Sequence, residues 1–221
     1  MYFDTSILIL LPAILFALWA QSRVKSTYAK YSKEFASLTG AEAARMVLEM
    51  NGVNDVTIEP VAGELTDHFD PKTNTIRLSK GVYDVTSVAA VGVAAHEAGH
   101  AVQYAVGYSP IKLRTAIIPV TQIGSTLSWP ILLVGLLLGS ETLAMAGVLL
   151  FCAVVLFQLV TLPVEFNASG RALTCLSNSG LLSIDEVAGA RKVLTAAAWT
   201  SVSAALASIL QLLYLLGVNR D

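Results

Sequence analysis

Four long apolar stretches constrain the fold of this 221-residue chain more than any other feature of its sequence. They cover about residues 2–20, 115–139, 142–164 and 193–218, and the last three contain no charged side chain. A helix needs about 20 mainly apolar residues to cross the hydrocarbon core of a bilayer. The sequence therefore predicts a mainly α membrane protein with about four transmembrane helices and the lipid bilayer as a partner.

Composition excludes two other classes of protein. Hydrophobic residues make up 55% of the chain and charged residues 14%, which is the reverse of the balance found in disordered proteins. The 14 basic residues are outnumbered by 16 acidic ones, so the chain lacks the positive surplus of a nucleic-acid binder. Its two cysteines, one inside a stretch and one outside, are interpreted as reduced thiols.

The first stretch is either a membrane anchor or a cleaved signal peptide. A signal peptide carries Lys or Arg before its apolar region. Here Asp4 lies at the outer edge of the stretch, and the basic residues Arg23, Lys25 and Lys30 follow it. This order favours an uncleaved anchor with its N-terminus outside the cell.

The distribution of basic residues predicts the orientation of the chain. Ten lie in residues 21–114 and three in residues 165–192, which together hold 13 of the 14. Loops rich in Lys and Arg remain in the cytoplasm, so we expect a multi-pass plasma-membrane protein with both segments on that side. The predicted regions are an anchor at 1–21, a cytoplasmic α+β segment at 22–114, a transmembrane hairpin at 115–164, a cytoplasmic helix at 165–192, and a last span with its tail at 193–221.

Within the α+β segment the sequence predicts two helices and a hairpin. The first helix covers 43–50 and begins after Thr39, a typical N-cap residue, and the second covers about 86–106. Short strands are predicted at 56–58 and 75–78, with a hairpin over 65–79 around the turn at 70–74. The strand at 75–79 either offers an edge to an extended peptide or belongs to a plain structural hairpin.

The second predicted helix carries the sequence His96-Glu97-Ala98-Gly99-His100. Residues four apart share one face of a helix, so both imidazoles can bind a single metal ion. A glutamate beside them can act as a general base, and this H-E-x-x-H pattern is typical of zinc proteases. The apolar residues before and after it are those of a buried helix, and Gly99 is expected to leave room beside the metal. The sequence predicts a zinc ion held by His96 and His100, with Glu97 as the catalytic base.

A catalytic zinc ion needs a third protein ligand. Cys175 is one candidate, but nothing in the sequence orients it. Glu165 directly follows the third stretch, and the transmembrane hairpin returns it to the side on which His96 and His100 lie. An acid at that position either marks the edge of the membrane or has a partner, and we favour its assignment as the third ligand.

Four segments together resemble the YugP-type neutral zinc metallopeptidases of bacterial membranes, and they cover residues 65–71, 76–79, 96–103 and 162–169. The resemblance extends over nearly the whole chain. It implies a gluzincin-type site with one zinc ion on His96, His100 and Glu165 and with Glu97 as base, in a small cytoplasmic zincin-like α+β unit. The segment around Glu165 is more distantly similar to HtpX-like and CAAX prenyl proteases, which carry Asp where this chain has Ser169.

Three further residues are candidates for contacts with the substrate or the transition state. His68 either serves in catalysis or braces the hairpin turn with the aspartates beside it. Arg171 either binds a substrate carbonyl or carboxylate, or contacts lipid phosphate or a nearby acid. Ser169 is the third candidate.

The sequence favours a membrane-anchored zinc endopeptidase that hydrolyses membrane-associated or cytoplasmic polypeptides. One alternative is a site-2-type intramembrane protease, because the helix at 86–106 is apolar. Such enzymes use an Asp ligand from a later span, and residues 85–184 contain no Asp. The other alternative is a non-proteolytic metal-binding scaffold, against which the intact Glu97 argues, because a structural zinc site needs no base.

Overall fold

The computed structural model describes residues 5–218, which are mainly helical with one small mixed sheet. Four helices are long and apolar enough to cross a membrane, as the sequence predicts: Leu8–Tyr31, Ser109–Leu137, Glu141–Asn178 and Ile184–Gly217. Asp4 and the first residues of the predicted anchor lie outside the described residues, as does Arg220. The elements after a 3-10 helix at Thr5–Leu10 are α1 (Leu11–Tyr31), α2 (Gly40–Met50), β1 (Thr57–Val61), β2 (His68–Asp70), β3 (Thr75–Ser79), α3 (Val88–Ala105), α4 (Ser109–Leu137), α5 (Glu141–Asn178) and α6 (Ile184–Val218).

The chain divides into two compact units, each built from several segments. The first, called here the apolar unit, consists of residues up to 21, residues 112–163 and residues from 200 onward. The second, called the mixed unit, consists of residues 22–111 and 164–199 and contains the sheet.

Close contacts between α4 and α5 characterise the apolar unit. A Cβ atom added to Gly147 would lie 2.7 Å from the backbone nitrogen of Leu132 and 2.8 Å from the carbonyl oxygen of Ser128. Small residues let helix backbones approach closely where membrane helices pack. Val148 and Phe151 are buried beside this contact.

In the mixed unit, α2 begins and ends at clear signals in the sequence. Thr39 and Glu42 form a capping box, in which each side chain accepts a hydrogen bond from the backbone N–H of the other residue. The helix ends at Met50, and Gly52 follows with a φ of 70°. The structure confirms the predicted helix, which begins at Gly40 rather than Ala43.

The sheet has the strand order β1-β3-β2. The predicted hairpin is confirmed, because β2 and β3 are antiparallel with Phe69 opposite Ile76, while β1 runs parallel to β3. Of the two interpretations of Thr75–Ser79, a free edge for a peptide and a plain structural hairpin, the structure supports the hairpin, because this strand lies in the centre of the sheet. Its Ile76 and Leu78 are fully buried in the core, which explains why it needs neighbours on both sides.

Helix α3 packs against α2 and the sheet with almost no exposed surface over its length. The side chain of Ser87 caps its N-terminus by accepting a hydrogen bond from the backbone N–H of Ala90. Alanines and glycines make up much of the helix, and their small side chains let neighbouring elements approach its backbone. Gly92, for example, faces Ala190 of α6.

Helix α5 runs without interruption from Glu141 to Asn178, although the sequence predicted a span that ends at 164 and a separate helix over 165–192. Pro163 lies inside α5 and does not end it. The break falls at residues 179–183 instead, where Gly180 has a φ of 68°. The hydroxyl of Ser183 then accepts a hydrogen bond from the backbone N–H of Glu186 in the first turn of α6.

Candidate metal centre

The candidate site lies where α3 crosses the part of α5 that belongs to the mixed unit. At the crossing, a Cβ atom on Gly99 would lie 2.5 Å from the carbonyl oxygen of Ala168. Only a residue without a side chain permits this approach. Gly99 therefore makes room for the backbone of α5, rather than for a metal as the sequence suggested.

Three side chains converge beside this crossing. The Nε2 atom of His96 lies 3.2 Å from Oε2 of Glu165, and Nε2 of His100 lies 3.7 Å from the same oxygen. One ligand atom from each of the three residues lies within 4.8 Å of the other two. The two imidazole rings meet edge to face, with their centroids 4.6 Å apart.

This arrangement fits a zinc ion. Zinc takes imidazole nitrogens and carboxylate oxygens at about 2.0–2.2 Å, so tetrahedral ligands lie about 3.3 Å from one another. The distances of Glu165 Oε2 to the two Nε2 atoms are close to that value. Two imidazoles and one carboxylate also form a donor set typical of a catalytic zinc site with one position left open.

The opposite nitrogen of each imidazole has a hydrogen-bond partner. Nδ1 of His96 lies 3.0 Å from the hydroxyl of Ser169, and Nδ1 of His100 lies 3.0 Å from Oε1 of Gln103. Because Gln103 can only accept through Oε1, Nδ1 of His100 carries a proton, so in the neutral imidazole the lone pair lies on Nε2. These partners hold both rings with Nε2 directed at Glu165.

Gln103 connects α3, the helix that carries both histidines, to α5. It is fully buried, and its Nε2 donates hydrogen bonds to the carbonyl oxygen of Val164 at 2.8 Å and to Oδ1 of Asn167 at 3.0 Å. Oδ1 of Asn167 also accepts a hydrogen bond from Nε of Arg171 at 2.8 Å. Arg171 thus belongs to a hydrogen-bonded chain that ends at His100, and a role in substrate binding stays a prediction.

Glu97 lies next to the ligands and is held by the sheet. Its Oε2 accepts a hydrogen bond from the backbone N–H of Phe69 in β2 at 3.1 Å. Burial raises the pKa of the Glu97 carboxyl, while the nearby imidazoles of His96 and His100 act to lower it. A raised pKa makes a carboxylate a stronger base, which suits it to accept a proton.

The electrostatics of His100 also indicate a site for a cation. Burial alone would lower the pKa of this imidazole, but the hydrogen bond with Glu165 and the charge of Glu97 outweigh it and raise the pKa. The surrounding carboxylates therefore stabilise positive charge at this position. A proton or a metal ion can supply that charge.

Ion pairs and hydrogen bonds fix the hairpin that carries Phe69. The Asp67 carboxylate accepts hydrogen bonds from the backbone N–H and the hydroxyl of Ser79. Nη1 of Arg77 lies 3.0 Å from Oδ2 of Asp70, and this contact lowers the pKa of the Asp70 carboxyl to about 2. The exposed His68 lies between these aspartates, and its Nδ1 is 2.7 Å from the carbonyl oxygen of Thr66.

The structure thus brings His96, Glu97, His100, Glu165 and Ser169 together in one place. Cys175, the other ligand candidate, is buried away from them, and its sulfur lies 3.3 Å from Nδ2 of Asn51. Three contributors were missed in the sequence: Gln103, Asn167 and the backbone N–H of Phe69. A buried amide in the turn after a metal-binding histidine is a signal that could have identified Gln103.

Comparison with known proteins agrees with this geometry. The sequence profile of the family described as "Putative neutral zinc metallopeptidase" matches residues 6–220. The "Putative membrane protease YugP" of Bacillus subtilis (strain 168) is 48% identical over 209 residues, which cover 94% of this chain and 93% of the relative. No solved structure matches the chain.

Proposed function

Because this chain belongs to the family of putative neutral zinc metallopeptidases, we propose that it is a membrane-bound zinc endopeptidase that hydrolyses membrane-associated or cytoplasmic polypeptides. The observation that carries the proposal is the convergence of His96, His100 and Glu165, with Glu97 beside them. A scaffold site would need no general base, so the carboxylate of Glu97 beside the three ligands supports an enzyme rather than a scaffold.

His96 and His100 would bind zinc through Nε2, and Glu165 through Oε2. A zinc ion held there supplies a Lewis acid that polarises the scissile carbonyl and stabilises the negative charge developing on its oxygen. Ser169 and Gln103 orient the two imidazoles so that their lone pairs point toward this position.

Glu97 would move the proton. The Phe69 N–H occupies Oε2 of Glu97, which leaves Oε1 to take a proton from the attacking water. The same carboxyl would then donate that proton to the leaving amine. The hydrogen bond from Phe69 keeps Glu97 in place during both transfers.

We also propose that the mixed unit is a zincin-like catalytic unit on the cytoplasmic side of the plasma membrane. Thirteen of the 14 basic residues lie in residues 21–114 and 165–192, and basic segments remain in the cytoplasm. Helix α3 does not count among the four apolar helices of the described residues. This favours hydrolysis outside the bilayer over the intramembrane alternative.

The test uses the full-length protein in detergent with an unfolded casein substrate and a measurement of bound zinc. Glu97→Gln should keep one zinc ion per chain and lose at least about a hundred-fold in rate, since a general base contributes 10²–10⁴-fold. Glu165→Ala should lose both zinc and activity. Glu49→Gln, which replaces an exposed glutamate of α2, is the matched control and should change neither.

Two results would overturn the proposal. Undiminished cleavage by Glu97→Gln would remove this residue from its role as the base. Full zinc content in Glu165→Ala would mean that the metal is held by another set of ligands.

A further inference from the structure

A cavity in the mixed unit lies between the later turns of α1 and the early turns of α6. Its volume is about 530 Å³. It shares no lining residue with the candidate metal centre, and the function proposed above assigns it no role. Tyr31 and Ala196, both buried, form part of its lining.

Four basic residues line this cavity: Arg23 and Lys30 from α1, and Arg191 and Lys192 from α6. The lining contains no carboxylate. Lys30 lies 3.7 Å from Glu34 on its own chain segment, but Arg23, Arg191 and Lys192 form no ion pair within residues 5–218. Like charges that line one cavity repel each other, so an anion between them would stabilise the arrangement.

Helical spacing places these groups on two facing surfaces. In α6, Arg191, Thr195 and Trp199 follow one another at intervals of four and so share one face. In α1, Arg23, Thr27 and Lys30 show the same kind of spacing. Each face therefore offers positive charges together with a hydroxyl, which is the combination that binds phosphate oxygens.

The position of the cavity favours a membrane lipid, rather than a free phosphate ion, as the source of the phosphate group. Both helices are among the four candidate membrane spans, and the cavity lies toward the charged end of each. Trp199, which is 40% exposed, lines the same cavity. Tryptophan is enriched at the membrane surface, and basic pockets between spanning helices on the cytoplasmic side bind anionic lipid headgroups.

We propose that this cavity binds the phosphate-bearing headgroup of an anionic membrane lipid. The lipid would contact both α1 and α6. The two helices already pack closely beside the cavity, since a Cβ atom on Gly189 of α6 would lie 2.9 Å from the ring of Tyr31 and 2.7 Å from the side chain of Val88 in α3. Bound lipid should therefore stabilise the mixed unit against unfolding. This inference does not depend on zinc or on peptidase activity.

The test counts phosphatidylglycerol and phosphatidylcholine molecules bound to the full-length protein in detergent by native mass spectrometry, with the melting temperature measured in parallel. We expect phosphatidylglycerol to bind more tightly than phosphatidylcholine and to raise the melting temperature. One basic residue near an anionic surface contributes about five-fold in affinity, so Arg191→Gln/Lys192→Gln should weaken phosphatidylglycerol binding by about 25-fold. The single variant Arg23→Gln should weaken it by about five-fold.

The matched control is Lys72→Gln/Lys80→Gln, which removes the same charge from exposed positions outside the cavity. It should keep the lipid affinity of the wild type. Three results would overturn the proposal: equal loss in the control, an unchanged preference in Arg191→Gln/Lys192→Gln, or stabilisation by millimolar inorganic phosphate alone. The last would identify a free anion site.

Discussion

Two helices approach each other closely at a glycine in two places, and the two contacts have different results. In the mixed unit, Gly99 lets α3 approach the carbonyl oxygen of Ala168, and in the apolar unit, Gly147 lets α5 approach Ser128 and Leu132. Around Gly147 the buried side chains are apolar apart from Ser128, and the contact packs two helices. Around Gly99 they include two histidines and a glutamate, and the contact assembles a candidate metal centre.

The comparison shows that a glycine sets the distance between two helices, while the residues one to three positions from the contact decide what that distance is used for. His96 and His100 lie three positions before and one after Gly99, and Glu165 lies three positions before Ala168. Both crossings depend on the absence of a Cβ atom. Only one of them aligns atoms whose separation must be correct to a few tenths of an ångström.

The largest effect is expected from adding one methyl group at each crossing. Gly99→Ala should separate α3 from α5, move the histidines away from Glu165 and weaken zinc binding at least about a hundred-fold, with loss of activity. Gly147→Ala should lower the melting temperature but leave zinc affinity unchanged, because no proposed ligand lies in the apolar unit. Zinc titration and thermal melting measure the two effects. Equal zinc affinities in both variants would contradict the claim that only the contact at Gly99 positions the metal ligands.

A smaller effect is expected from the buried amide that orients His100. Gln103→Leu keeps a similar volume but removes the partner of the His100 Nδ1, and such losses weaken metal binding by about 10–100-fold. Gln103→Glu keeps an acceptor for Nδ1 and should lose less. A chelator competition assay measures both affinities. If the two variants bound zinc equally, the role of Gln103 would be packing rather than orientation.

The smallest effect is expected in the hairpin that holds Glu97. Arg77 lowers the pKa of the Asp70 carboxyl to about 2. The ionised carboxylate therefore stabilises the folded hairpin at pH values above the ordinary carboxyl pKa of about 4. This contribution to stability is lost as the pH falls toward about 2. Asp70→Asn should have a slightly lower melting temperature at neutral pH and a weaker pH dependence in that window. Asp84→Asn, at an exposed position, is the control and should melt like the wild type. A wild-type pH dependence in Asp70→Asn would show that other carboxyls cause it.

Much of this arrangement could be predicted from the sequence, because the relevant signals are local. Apolar runs identify membrane-spanning helices by length, and the spacing of His96 and His100 follows from the helical repeat. The continuity of α5 beyond residue 164 could not be predicted, because the end of an apolar run marks the edge of a membrane span and not the end of a helix. The central place of β3 also depends on pairing between strands that are distant in the sequence.

The groups that orient the histidines and Glu97 could not be predicted either, because they also depend on contacts between distant parts of the chain. Gln103 and Asn167 carry no spacing signature, and they become partners of the site only because α3 and α5 cross at Gly99. The hydrogen bond from Phe69 to Glu97 comes from the backbone, which the sequence of side chains does not reveal. Long-range contacts of this kind are visible only in the folded chain.

The two halves of the candidate metal centre are far apart along the chain, since Glu165 lies 65 positions after His100. An ion held by both would act as a cross-link that closes this long loop and reduces the entropy of the unfolded chain. In the chain-entropy description, closing a loop of that length is worth about 4 kcal/mol. Metal binding and the folding of the mixed unit would then be linked in one equilibrium, so an ion bound there would also stabilise the fold.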